Sequence, residues 1–279
     1  MLRLTISILL IIGSLQLNYS QSKIQQIKPE KILYKNTNEG ELNLYVYKPL
    51  EFDIQKKHSC IVFFHGGGWN SGNPEQFQRQ SRYFASRGIV AVSVEYRIRN
   101  VHGTSPIQAM EDAKSAIRFI RSNARLLSID PSKIAAAGGS AGGHLVAVAG
   151  NIELFDNSNE DLTISSKPNL LILYNPVIHN ARKWGWIDAP SDASPHDNIS
   201  RGAPPTIILT GTEDKVIPVE LIKSYKKRME SIGSRCDLIL YEGAEHAFFN
   251  RGDDLIDTVF QTDIFLKSNG YLLGPPTIK

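Results

Sequence analysis

The chain has 279 residues, 42% of them hydrophobic and 21% charged, with a net charge of +3. That is long enough for a large α/β core in one domain, and the charge is too mild and too dispersed for a nucleic-acid-binding surface. No internal repeat, low-complexity tract or block of lysine and arginine interrupts it.

The N-terminus differs from the rest. Arg3 supplies a positive charge, Leu4 to Leu17 is almost wholly apolar, and polar residues take over from Asn18 to Ser22. This is the layout of a secretory signal peptide over residues 1–20, with Ser20 as the small residue at the cleavage point. The apolar run is shorter than the ~20 residues that cross a bilayer, and no nearby cysteine offers a lipid attachment point. The expectation is a secreted or periplasmic mature chain, residues 21–279, without stable membrane insertion.

Strands are expected at Ile32–Tyr34 and Leu42–Tyr47, an antiparallel edge pair, the second alternating apolar and aromatic residues before Pro49. Cys60–Phe64 and Ile89–Val94 are continuous apolar runs, the mark of strands buried on both faces. Between them lie the glycine cluster His65-Gly66-Gly67-Gly68-Trp69 and a polar helix, Pro74–Arg87. Ser105 and Gln108 form a capping-box pattern with Pro106 at the first helical position, opening a helix with Ile107, Met110, Ala113, Ile117 and Ile120 on one face.

Next comes Ile134–Gly143, a short apolar run that breaks into Gly138-Gly139-Ser140-Ala141-Gly142 and then into a helix. This G-x-S-x-G run is a nucleophile elbow, in which small residues let strand and helix pass closely and the serine Oγ stands exposed above the sheet. A phosphate cradle or a plain connection is the competing reading of such a turn. Further strands are expected at Leu170–Tyr174, Thr206–Thr210 and Asp237–Tyr241, with helices at Glu220–Ile232 and Leu255–Ser268. Residues 175–205 form an irregular insertion. Alternating strands and helices predict an α/β protein with a mostly parallel sheet covered on both faces.

Sites in such sheets gather at the strand carboxyl ends. Gly211-Thr212-Glu213-Asp214 and Glu242-Gly243-Ala244-Glu245-His246 both lie there. Of the seven histidines, His246 alone directly follows the last expected strand, whereas His144 sits a helical turn past Ser140, where packing is the expected role. Gly67 and Gly68 can bring backbone amides to a developing oxyanion beside the Ala141 amide at the helix start, and His65 is expected to order that loop. No HExxH or paired-cysteine spacing suggests a metal, and no cofactor is implied.

HGGGW, EYR, GGSAGG, GTEDKVIP and EHAF, in this order over residues 30–268, resemble the α/β-hydrolases of the hormone-sensitive-lipase-like esterase branch, particularly acetylxylan and feruloyl esterases. The resemblance implies an α/β-hydrolase fold with strand order 1-2-4-3-5-6-7-8, helices on both faces and a small cap insertion. It further implies a Ser140–His246–Asp214 triad, with Asp214 preferred over Glu213, and an oxyanion hole from Gly67, Gly68 and Ala141. In that order the strands of Cys60 and Cys236 stand four positions apart, roughly 19 Å at ~4.8 Å per step. A disulfide requires Cα atoms within ~7 Å, so two free buried thiols are expected.

Little sequence precedes HGGGW to build a cap, which argues against long-chain lipids. The three tryptophans, Trp69, Trp184 and Trp186, fall in expected loops at the rim. They are candidates to stack on sugar rings, or simply to pack the insertion. The expected activity is therefore deacetylation or deferuloylation of plant or algal polysaccharide or oligosaccharide. A small-molecule carboxylesterase or aryl formamidase is the alternative, and a non-catalytic binding module on the same fold is a more distant one. A prolyl-oligopeptidase-type peptidase would need a gating domain for which this chain has no room.

Overall fold

A computed structural model describes residues 24–179, 186 and 190–278. The signal-peptide expectation, residues 1–20, and Trp184 lie outside the described residues.

Eight strands form one sheet: β1 (Glu30–Thr37), β2 (Gly40–Tyr47), β3 (His58–Phe64), β4 (Val90–Val94), β5 (Ile129–Gly139), β6 (Leu170–Tyr174), β7 (Thr206–Gly211) and β8 (Cys236–Tyr241). Their order is β1-β2-β4-β3-β5-β6-β7-β8. The β1–β2 and β2–β4 pairs are antiparallel and all others parallel. Register runs straight across the middle of the sheet, Val92 against Val62, Val62 against Ala136, and Ala136 against Leu171.

The continuous apolar runs are explained by burial on both faces. Cys60, Val62 and Phe64 point into one core, while Ile61 and Phe63 point into the other. The first core is closed by helices α2 (Pro106–Ser122), α3 (Ala141–Asn151) and α4 (Val219–Ser231), and the second by α1 (Gln78–Ser86) and α5 (Gly252–Ser268). Each fully buried Leu or Phe side chain contributes about 1.5–3 kcal/mol, so these double-sided strands carry much of the fold's stability.

Helix α2 begins as expected. The Ser105 Oγ accepts from the Ile107 amide at 3.3 Å, and the Gln108 Oε1 accepts from the Ser105 amide at 3.0 Å. The segment expected as one helix from Pro74 begins instead with a tight 3-10 turn, Pro74–Phe77, capped by Asn73, and becomes α-helical at Gln78. Cys60 and Cys236 are free and buried on β3 and β8, four strands apart. Burial raises both thiol pKa values, that of Cys236 to about 12. Among the described residues, no helix is long and apolar enough to cross a membrane.

Candidate active site

The end of β5 sets the site. Ser140, between β5 and α3, holds φ 53° and ψ −116°, a conformation that side-chain-bearing residues rarely adopt and that needs support from its surroundings. Its amide donates to Tyr174 O at 2.9 Å, and its carbonyl accepts from Val177 N at 3.2 Å and His144 N at 3.0 Å. The glycines around it are required by contact: a Cβ on Gly142 would lie 2.1 Å from the Phe64 carbonyl oxygen. Only a residue without one lets α3 start this close to β3.

Two loops from the far side of the sheet complete a hydrogen-bonded chain. His246 Nε2 lies 2.9 Å from Ser140 Oγ, and His246 Nδ1 lies 2.7 Å from Asp214 Oδ2. The other carboxylate oxygen of Asp214 accepts from the amides of Val216 and Ile217, both at 2.8 Å, which fixes the plane of the group. The Asp214 side chain is fully buried, whereas Glu213 faces solvent. The two loops meet backbone to backbone, Glu213 N donating to Ala244 O at 3.0 Å. The histidine loop is further held by Asn175, whose Oδ1 accepts from the Ala247 amide at 3.1 Å.

The HGGGW loop lies across the cleft. Gly66, Gly67 and Gly68 line the same cavity of about 350 Å³ as Ser140 and His246, with Trp69, Val177, Val216 and Phe249 as its apolar walls. Gly67 (φ 121°) and Gly68 (φ 62°) both use conformations open to glycine. Ala141 is the first residue of α3, so its amide has no intrahelical acceptor and carries the positive end of the helix dipole.

Sequence reasoning missed what braces this loop. The Gln76 Oε1 accepts from the Gly66 amide at 2.6 Å, from a segment read only as a polar helix. Tyr96, in the EYR run, stacks on the His65 ring at a centroid distance of 4.1 Å and donates its hydroxyl proton to His65 O at 2.7 Å. Arg97 then makes a bidentate contact with Asp112 of α2, both bonds 2.8 Å. EYR marks a resemblance in the sequence, but its supporting role needs the fold. Asn175, read as the start of the insertion, left no signal of its contact with Ala247.

His65 orders its own loop, with Nδ1 2.8 Å from Gly66 O, and His144 packs with Nε2 2.8 Å from Ala193 O. Burial pushes both imidazoles down to about 4, against the opposing pull of those backbone hydrogen bonds. Both are therefore neutral at neutral pH.

Of the two expectations for the tryptophans, stacking on sugar or packing of the insertion, Trp69 and Trp186 follow the second. Trp69 and Trp186 are each only 3% exposed. Trp69 meets His144 edge-on at 5.1 Å and Trp186 at 6.1 Å, so the rings pack the insertion onto α3 and leave no open flat face. The apolar stack offers these rings more buried contact than solvent would. Trp69 still forms part of the cleft wall.

Sheet order, elbow and facing glycine loop together define an α/β-hydrolase. Two family models divide the chain: BD-FAE matches residues 44–173, which hold Gly67, Gly68 and Ser140, and the dienelactone hydrolase family matches residues 184–264, which hold Asp214 and His246. Esterase 2 of Thermogutta terrifontis is 42% identical in sequence and superposes with a TM-score of 0.85 over 88% of this chain and 97% of its own. Esterase LipC of Mycobacterium tuberculosis is 29% identical over 72% of this chain and 55% of its own length. An acetylxylan esterase of Xylanibacter ruminicola is 27% identical over 68% of this chain and 41% of its own. The chain thus spans about half, or less, of the length of these two curated relatives, but nearly all of esterase 2. It belongs to the α/β-hydrolase esterases.

Proposed function

We propose that the protein is an exported serine carboxylic-ester hydrolase that removes acetyl or feruloyl groups from plant or algal polysaccharide or oligosaccharide. The observation that carries the reaction is the Ser140–His246–Asp214 chain, at 2.9 and 2.7 Å, opening on a cleft that also holds the HGGGW glycines. His246 Nε2 takes the Ser140 proton as Oγ attacks the ester carbonyl. Asp214 holds the Nδ1–H tautomer and stabilises the imidazolium. The amides of Gly67, Gly68 and Ala141 receive the oxyanion. Collapse breaks the ester C–O bond, His246 passes its proton to the departing alcohol, and Ser140 keeps the acyl group. Water, deprotonated by His246, then attacks the acyl-serine, and His246 returns that proton to Ser140 Oγ as the acyl–Oγ bond breaks and the acid leaves.

The carbohydrate reading is supported by the similarity to an acetylxylan esterase, and the reading of export by the sequence of residues 1–20. It receives no support from Trp69 and Trp186, whose faces are covered. A second reading, hydrolysis of small esters with short acyl chains, is favoured by the compact cleft walled by Trp69, Val177, Val216 and Phe249. Related esterase 2 structures are described as propionate bound and butyrate bound, which fits the same reading.

Acetate and ferulate release from acetylated xylan and feruloylated oligosaccharides, measured beside p-nitrophenyl acetate, butyrate and octanoate, distinguishes the two. Ser140-dependent release from the polymer, with acetate preferred among the aryl esters, is the expected result. Turnover of aryl esters alone would keep the chemistry and remove the polysaccharide from the assignment.

A further inference from the structure

The insertion brings His179 beside the consecutive pair His196 and Asp197, 17 residues further along the chain, and none of the three takes part in the ester chemistry. His179 follows β6, His196 and Asp197 lie near the end of the insertion, and one potential ligand atom from each falls within 4.8 Å of the others. His196 Nδ1 is 2.9 Å from Asp197 Oδ1, and His179 Nε2 is 3.9 Å from Asp197 Oδ2. Atoms bound to one tetrahedral Zn²⁺ at ~2.0–2.2 Å lie about 3.4 Å apart, between these two separations. Small side-chain rotations would therefore bring both pairs to the metal.

The surroundings match a metal centre in a second respect. Metal-bound imidazoles and carboxylates are normally oriented by partners of their own. His196 Nε2 is 3.0 Å from Ser224 Oγ on α4, and Asp197 Oδ2 accepts from Ser194 Oγ at 2.7 Å. The His196 amide donates to Ile178 O at 2.6 Å, which pins the two histidine segments together. Among the described residues Arg228 is a nearby cation, and its guanidinium donates to the Asp197 backbone carbonyl, 2.8 Å away. His179 and Asp197 are 39% and 48% exposed at their side chains, so an ion can enter from solvent.

We infer that His179, His196 and Asp197 form a binding site for one Zn²⁺-type divalent ion that braces the insertion. Two imidazoles and one carboxylate suit Zn²⁺ and its nitrogen-seeking neighbours over Ca²⁺ or Mg²⁺, and leave a fourth position for water. The segment between His179 and His196 carries Trp186 and Ala193. These pack on Trp69 and His144, so an ion at His179, His196 and Asp197 would steady the residues behind the Trp69 wall of the cleft without touching substrate. The site is independent of which ester the enzyme cleaves.

The test is Zn²⁺ titration of the chelator-treated full chain by calorimetry, with melting temperature followed in parallel. Wild type is compared with His179→Gln, Asp197→Asn, Ser224→Ala and, because zinc also attacks catalytic histidines, His246→Gln. One zinc per chain at micromolar affinity or tighter is expected, with a rise in melting temperature. His179→Gln and Asp197→Asn should each weaken binding at least about tenfold and Ser224→Ala by about tenfold, while His246→Gln leaves it intact. His179 is half-buried and Asp197 exposed, so neither change removes a core side chain, and circular dichroism separates loss of binding from loss of fold. Affinity no tighter than millimolar, equal affinity in all variants, or loss confined to His246→Gln would each overturn the site.

Discussion

At the scale of single residues, the candidate site is a set of side chains each held by a second group. Asp214 is fixed by two backbone amides and His246 by Asp214, while Ala247, beside it, is held by Asn175. Replacing Asp214 by Asn keeps its size but allows the side-chain amide to face Nδ1, which favours the tautomer that cannot accept the Ser140 proton. The Asp214→Asn enzyme should lose about 10⁴ in kcat on p-nitrophenyl acetate with little change in KM. Steady-state kinetics of the pure variant check this, and a loss below tenfold would mean that Asp214 does not orient His246. Ser140 was legible because its glycines have a steric reason that a sequence displays. Asp214 and Glu213 were not separable by local chemistry, since burial distinguishes them and burial is a property of the folded loop. Gln76 and Asn175 carried no mark at all, because an amide that caps a distant backbone group looks in sequence like any polar surface residue.

At the scale of elements, the doubly buried strands were the most legible, because a run such as Cys60–Phe64 has no polar residue to break it. The edge was less so. β1 extends to Glu30–Thr37, well beyond Ile32–Tyr34, because its outer face is solvated and its charged residues hide the pairing with β2. A helical turn at Arg99–His102 was not foreseen. It is held by tertiary contacts, Arg99 N to Trp69 O at 2.9 Å and Asn100 N to Asn70 O at 3.0 Å, and four residues show no period. The insertion was legible only as irregular. Its described residues include a 3-10 turn, Ser191–Ala193, and the buried Trp186, whose ring packs against Trp69 and His144, and sequence alone left sugar stacking and packing equally open because burial belongs to the folded loop.

At the scale of the whole molecule, strand order could not be read from periodicity and came from resemblance. The order β1-β2-β4-β3-β5-β6-β7-β8 then explains why residues 106 apart, Ser140 and His246, come within hydrogen-bonding distance, and why the two cysteines do not meet. Burial of His65 and His144 also sets an acid limit on the fold. Both sit at about 4, below the ordinary value near 6.5, so between these pH values the unfolded chain binds more protons than the folded one. Their contribution to stability is present above pH ~6.5 and is lost as pH falls towards 4, by up to about 1.4 kcal/mol per pH unit for each group. Urea unfolding at several pH values should show this fall, and His144→Gln should lessen the slope. An unchanged slope would mean that His144 is not held neutral.

The central claim is that Ser140 is the nucleophile of an acyl-enzyme mechanism, and the most direct measurement is covalent trapping followed by peptide mass spectrometry. Related esterase 2 structures are described as phosphorylated by paraoxon and phosphonylated by sarin, so an organophosphate is a suitable probe. Incubation with paraoxon should add one diethylphosphoryl group, located on the peptide containing Ser140, in step with the loss of p-nitrophenyl acetate hydrolysis, and Ser140→Ala should neither be labelled nor turn over ester. Label on another residue, or ester turnover that survives Ser140→Ala, would contradict the account.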